Sequence, residues 1–166
     1  MKQIQFIDIC EPDFKFIKEV YDHYILTSTS TYYTEKISID ELKEFIPVGH
    51  KKYKSFLIKV DGLACGFCYI SQYKKRQAYD RTAEVSLYLI HGFTGQGIGQ
   101  KALKHLCEVA GQNSINVLIG IISGDNATSI NLFEKCGFEK CGHLKQVGEK
   151  FNKTLDVVSY QKILDK

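Results

Sequence analysis

The sequence predicts a mixed α/β (α+β) domain: a central twisted mixed sheet of about seven strands flanked by about four helices. Three observations lead there. β-rich runs come in pairs toward both ends of the chain, as hairpins do. Between them, strand-like runs alternate with segments whose apolar residues recur every three or four positions, a βαβα pattern that places parallel neighbours in the middle of the sheet. Finally, 166 residues of which 44% are hydrophobic suffice for one buried core, and no repeat or linker divides them, so residues 1–166 read as one domain.

Gln3 to Ile9 alternates as a strand, and from Pro12 to Ile25 the residues Phe14, Ile17, Val20, Tyr21, Tyr24 and Ile25 fall on one helical face, with the proline in the first turn. Ser38 and Glu41 stand at capping-box spacing and open a second helix. Tyr53 to Val60 and Leu63 to Ile70 form a hairpin about Asp61-Gly62, a pair suited to a type I′ turn because both central residues need positive φ. Thr82 to Ile90 is a strand that feeds a glycine-rich turn and then a helix carrying Ile98, Ala102, Leu106, Val109 and Ala110. Asn116 to Ile122 is apolar enough for a strand buried on both faces. Gly124-Asp125-Asn126 starts a helix with Ile130, Phe133 and Cys136, Gly137 ends it, and Phe138 to Val147 and Thr154 to Ile163 close the sheet as a last hairpin.

The charge balance narrows the partners. Twenty-two basic residues against 19 acidic leave +3, far from the excess of a nucleic-acid binder, and no apolar run approaches the ~20 residues of a membrane span or a signal sequence, so a cytoplasmic protein with neither nucleic acid nor membrane as partner is expected. Six cysteines raise the question of metal or disulfide. Most sit in apolar segments, where a thiol packs as a small hydrophobe, and the odd spacing of Cys65 and Cys68 on one strand should turn their sulfurs to opposite faces; no metal is expected.

The informative unit is strand, glycine turn, helix. Thr94-Gly95-Gln96-Gly97-Ile98-Gly99 sets three glycines at alternate positions before a helix, so that several N–H groups can converge on an anion such as a diphosphate. It is neither a Walker loop nor GxGxxG, since Gln100 stands where the last glycine would be. The alternative is that these glycines only let helix and strand pack closely.

The turn resembles the acetyl-CoA loop of the GNAT acetyltransferases, (Gln/Arg)-x-x-Gly-x-(Gly/Ala), with Gly97 and Gly99 at the small positions and Thr94 where that family has Gln or Arg. The likeness continues over nearly the whole chain toward the phosphinothricin and methionine sulfone acetyltransferases. It runs through His23-Tyr24-Ile25, Arg76 to Asp80, Thr82 to Leu89, Asn126 to Phe138, and Val147 to Lys150 with Asp156-Val157 and Gln161. The resemblance implies an acyl-CoA N-acyltransferase fold and acetyl-CoA as cosubstrate. The cofactor would be held by the main chain at Leu87, Tyr88 and Leu89, by Thr94, Gly95, Gln96, Gly97, Ile98, Gly99 and Gln100, and by Asn126, Ser129 and Phe133 on the following helix. By the same likeness a homodimer is implied.

Acetyl transfer needs a neutral amine, hence a proton acceptor. Glu84 is the only acid on an otherwise apolar or neutral strand and is the candidate general base; pairing with Arg76 or Arg81, or plain solvent exposure, is the competing reading. Phe133 stands where many GNAT enzymes carry an acid tyrosine, which leaves the general acid unassigned. The resemblance implies a small amino acid or analogue as acceptor, its carboxylate met by Arg76 and Lys150 and its body by Tyr32 and Tyr79. A protein N-terminus or polyamine as acceptor, and a CoA-binding module without turnover, are the other functions considered.

Overall fold

The N-terminal strand β1 (Ile4–Asp8) pairs antiparallel with β2 (Ser55–Val60), and β2 with β3 (Leu63–Gln72), in a computed structural model that describes residues 1–164. β4 (Thr82–Leu89) runs antiparallel to β3, and β5 (Val117–Ser123) parallel to β4. β7 (Lys153–Ile163) lies between β5 and β6 (Glu139–Lys150), so the seven strands are ordered β1-β2-β3-β4-β5-β7-β6. Among the described residues β4 and β5 make the one parallel pair, at the centre of the sheet as expected.

Helices α1 (Phe14–Thr27) and α2 (Ile39–Phe45) bury Phe14, Ile17, Ile25 and Leu42 against Leu57, Phe67 and Tyr69 on one face of the sheet. On the other face α3 (Ile98–Gln112) and α4 (Ala127–Lys135) bury Ala102, Leu103, Leu106 and Phe133 against Cys68, Ile70, Val85 and Leu118. Among the described residues no helix is long and apolar enough to cross a membrane.

The local signals act as their chemistry requires. Ser38 Oγ accepts the Glu41 N–H (3.1 Å) and Glu41 Oε2 the Ser38 N–H (2.7 Å), which holds the Glu41 carboxyl below its ordinary pKa. Asp61 and Gly62 both take positive φ, 49° and 83°, in the hairpin turn. Pro12 sits in a 3₁₀ turn (Glu11–Asp13) that leads into α1 rather than in the α-helix itself.

Two expectations are corrected. Cys65 and Cys68 pack in the same core cluster, because the β2–β3 register slips between Ile58 and Lys59, opposite Cys65, and a bulged residue resets the alternation of sides. Burial pushes both thiols above their ordinary pKa, away from reactivity. β5 is not buried on both faces: Leu118 and Ile122 are, but Ile121 is 44% exposed, because α1 and α2 leave that part of the sheet uncovered. The uncovered surface is the floor of the site.

Candidate active site

β4 and β5 pair only where Thr82–Glu84 faces Val117–Ile119. Beyond that point each strand keeps its outer partner instead, β4 following β3 to Leu89↔Gly66 and β5 following β7 to Ser123↔Val157, and a wedge opens between them. Strand alternation decides what faces the wedge. The Ile90 N–H donates to the Cys65 carbonyl on β3 (2.9 Å), whereas the Arg81 carbonyl accepts from Asn116 (2.8 Å) and Val117 (3.1 Å) at the head of β5. Main-chain groups of Leu87 and Leu89, in phase with Arg81, therefore point into the wedge, and the Leu89 carbonyl accepts the hydroxyl of Tyr24. The side chains of Glu84, Ser86 and Tyr88 point to the α1 face.

Three adjoining cavities follow this wedge from end to end. The first, 400 Å³, lies at the glycine turn, between Thr94, Gly95, Gly97, Gly99 and Gln100 on one side and Ser129, Leu132 and Lys135 of α4 on the other. Gly97 is the N-cap of α3 with φ +77° and no side-chain cap, a conformation that costs a β-carbon-bearing residue ~1 kcal/mol or more. The N–H groups of the first turn of α3 have no intrahelical acceptors and face outward at the positive end of the helix. Gly99 has the packing role as well: a β-carbon there would meet Leu132 at 3.0 Å and Leu87 at 3.4 Å. The second cavity, 380 Å³, shares Leu87, Thr94, Ser129 and Leu132 with the first and runs past Asn126 and Phe133. Asn126 caps α4 through Oδ1, which accepts the Ser129 N–H (3.1 Å), and its amide nitrogen donates to Ser30 Oγ (3.2 Å).

The third cavity, 470 Å³, shares Ser86, Tyr88, Ile121 and Ser123 with the second and contains Glu84. Its roof is the 29–33 loop, pinned to the β5–α4 junction by polar bonds. Thr29 donates to Asp125 (2.6 Å), which also accepts from Ser123 (2.7 Å), and the Tyr32 hydroxyl lies 2.8 Å from Ser123 Oγ while donating to the Asp156 carbonyl (2.7 Å). The Thr29 hydroxyl in particular holds the Asp125 carboxyl below its ordinary pKa. Burial drives Glu84 upward, opposed by the charge of Lys74, and among the described residues no basic group forms an ion pair with it; the pairing with Arg76 or Arg81 is not made. Burial likewise raises the phenols of Tyr21, Tyr69 and Tyr88, which line the same cavity and stay neutral.

The structure gathers most of the residues singled out from sequence around this channel: Glu84, Leu87, Tyr88, Leu89, Thr94, Gly95, Gly97, Gly99, Gln100, Asn126, Ser129, Phe133 and Tyr32. Others stand apart. The Gln96 side chain turns back to donate to the Gly92 carbonyl (2.7 Å), and Ile98 is in the core, so either could meet a ligand only through its main chain. Arg76 is exposed on the β3–β4 loop, where Tyr79, 40% exposed, packs edge-on to Tyr73; neither lines the cavity of Glu84. Lys150 is 4% exposed, with Nζ donating to the Thr31 carbonyl (2.8 Å) and lying over the Phe151 ring, and it too is outside that cavity. Burial lowers its pKa. Phe133 is 6% exposed and packs edge-on to Phe138, so it is core as well as wall.

Sequence reasoning missed Ser71, Ser86 and Tyr69, which the period of two would have placed on the face of Glu84 or across from it. It also missed Tyr24 and Lys135, whose positions depend on how α1 and α4 dock. Arg76→Ala is expected to leave the KM for an amine acceptor within about twofold, since surface changes away from a site act weakly; a tenfold rise in steady-state assays would return Arg76 to the pocket.

A splayed central strand pair, with main chain along one side that no strand pairs and a capless helix N-terminus at its end, has the shape for a long, thin ligand with an anionic head, running toward a half-buried carboxylate. The comparisons identify the class. Residues 8–158 match the model of the acetyltransferase (GNAT) domain, and the chain belongs to that family of N-acetyltransferases. It is 27% identical over 150 residues to the phosphinothricin N-acetyltransferase of Streptomyces viridochromogenes, covering 90% of this chain and 82% of that protein. It is 26% identical over 163 residues to the L-methionine sulfoximine/L-methionine sulfone acetyltransferase of Salmonella typhimurium, covering 98% and 94%. The crystal structure of a GNAT superfamily phosphinothricin acetyltransferase from Sinorhizobium meliloti in complex with AcCoA superposes with a TM-score of 0.89 at 27% identity, covering 98% of this chain and 88% of that one.

Proposed function

We propose that the protein transfers the acetyl group of acetyl-CoA to a small primary amine by direct attack in a ternary complex, with Glu84 as general base. The single observation that carries this is the channel. One end is a 400 Å³ cavity at Gly95, Gly97 and the head of α3, whose first N–H groups lack intrahelical acceptors, the middle offers the main chain of Leu87 and Leu89 for strand-like pairing with the pantetheine arm, and the far end is a pocket holding one unpaired, partly desolvated carboxylate. Lys135 supplies at the cradle the positive charge that Thr94 lacks.

An ammonium has no lone pair, so the neutral amine attacks the thioester carbonyl, and Glu84, directly or through one water, takes the proton that the nitrogen gives up as the N–C bond forms and the C–S bond breaks. An N–H of Leu87 or Leu89 stabilises the oxyanion in the water-poor wedge. Phe133 offers no proton, and the coenzyme leaves as its thiolate, which a thiol pKa of ~8.5 permits near neutral pH. The acceptor is of the size of the amino acid analogues named for the relatives, and the 470 Å³ pocket admits such a molecule. A homodimer fits the exposed Leu144 and Val147 on the β6–β7 hairpin. The test is a thiol-release assay with both substrates varied. Intersecting double-reciprocal lines are expected; parallel lines would mean an acetyl-enzyme, and no release with any amine would leave only a coenzyme-binding module.

A further inference from the structure

The thioester has to sit where the second and third cavities meet, because the acyl carbon must come within reach of an amine at Glu84 while the pantetheine arm lies along the wedge. The polar side chains that line both cavities there are Ser30, Ser86, Tyr88 and Ser123. Three of them are otherwise engaged. Ser123 donates to Asp125 (2.7 Å), Ser86 faces the phenol of Tyr69, and Tyr88 packs edge-on to Tyr21 with ring centroids 5.2 Å apart.

Ser30 differs. The Asn126 amide is oriented by the cap of α4, since Oδ1 accepts the Ser129 N–H, and the nitrogen left facing Ser30 can only donate. The Ser30 oxygen therefore accepts at 3.2 Å, and among the described residues no acceptor takes the proton of its hydroxyl. The position of this residue is fixed from both sides. Its own N–H donates to Ser28 Oγ (3.1 Å), Thr29 is tied to Asp125 (2.6 Å), and the Thr31 carbonyl accepts from the buried Lys150 ammonium (2.8 Å). A donor held in this way, beside the positive end of α4, suits charge that develops during a reaction, because little reorganisation is needed when the charge appears.

Resting on the reading of the channel as an acetyl-CoA site, we infer that Ser30 is a catalytic residue whose hydroxyl donates a hydrogen bond to the coenzyme sulfur as the C–S bond breaks, with Asn126 as its positioning residue. The electron pair of that bond goes to sulfur. Ser30 keeps its proton, the amine proton goes to Glu84, and the thiolate is released to be protonated by solvent. The oxyanion stays with the main chain of Leu87 or Leu89, so the hydroxyl stabilises the leaving group that Phe133 cannot serve.

The test reads the thiol of the bound coenzyme. A donor aimed at sulfur favours the thiolate, so that thiol should titrate below the ~8.5 of a free one. Calorimetric Kd values for coenzyme A and desulfo-coenzyme A across pH, with the full chain, give its pKa from their ratio. In Ser30→Ala that pKa is expected to rise by about one pH unit or more, and single-turnover acetyl transfer to slow roughly tenfold or more, as loss of a bond to a charged acceptor requires. Ser30→Thr, which keeps the hydroxyl, should restore both, and desulfo-coenzyme A should bind all three proteins alike. A bound-thiol pKa that Ser30→Ala leaves unchanged, or an equal loss of affinity for both ligands, overturns the inference and leaves the transferase reading intact. Wild type that binds neither ligand removes both.

Discussion

Glu84→Gln is expected to lower kcat by about two to four orders of magnitude and at the same time to raise the melting temperature. The two effects have one cause. Burial lifts the Glu84 pKa, so the folded protein holds that proton more tightly than the unfolded chain does. The associated stability is complete below the ordinary carboxylate pKa and is lost as pH rises through the raised value, so at neutral pH the ionised group is a cost to folding. Glutamine keeps the shape and removes the charge, and a gain of a few degrees follows. Wild-type kcat/KM should fall on the acid side below the raised pKa, and the variant should lack that limb. The acid limb surviving unchanged in Glu84→Gln would take Glu84 out of the mechanism, and a melting temperature no higher than wild type at pH 7 would contradict its desolvation.

The second large effect is at Gly66. A β-carbon there would lie 2.2 Å from the Tyr88 carbonyl oxygen and 2.9 Å from Leu89 Cδ2. Both belong to β4, and the nearer atom is main chain, which cannot step aside as a side chain would. Gly66→Ala should therefore push β4 from β3 just where its opposite edge lines the wedge. A loss of roughly 3 kcal/mol or more is expected, the upper range for overpacking, with a rise in the KM for acetyl-CoA among molecules that fold. Chemical denaturation and a coenzyme titration read the two separately; a variant as stable as wild type would mean that β3 and β4 have slack between them.

How much of this the sequence contained depends on how local each signal was. The capping box at Ser38, the turn at Asp61-Gly62 and the helical face of α3 depend on neighbours a few residues away, and they stand where the pattern put them. Cys65 and β5 went astray because a bulge and an uncovered patch of sheet are set by partners dozens of residues distant. The glycine turn and the open edge of β4 were legible because main-chain groups form them, and their placement follows from the glycines and the strand. The surroundings of Glu84 were not: where Arg76 and Lys150 lie is decided by the path of a loop and by which carbonyl a buried ammonium finds first. Neither leaves a trace in composition or spacing.

The wedge also bears on handling. A strand whose hydrogen-bonding edge has no strand partner is a template for any extended segment, including one from another chain. Beside Leu87 and Leu89 the same cavities are lined by Ser129 and Leu132 of α4, and heating or mild denaturant that loosens α4 would widen access to that edge. Occupation by the pantetheine arm would close the edge as an eighth strand does, so turbidity on warming should be suppressed by coenzyme A at concentrations too low to act as an osmolyte.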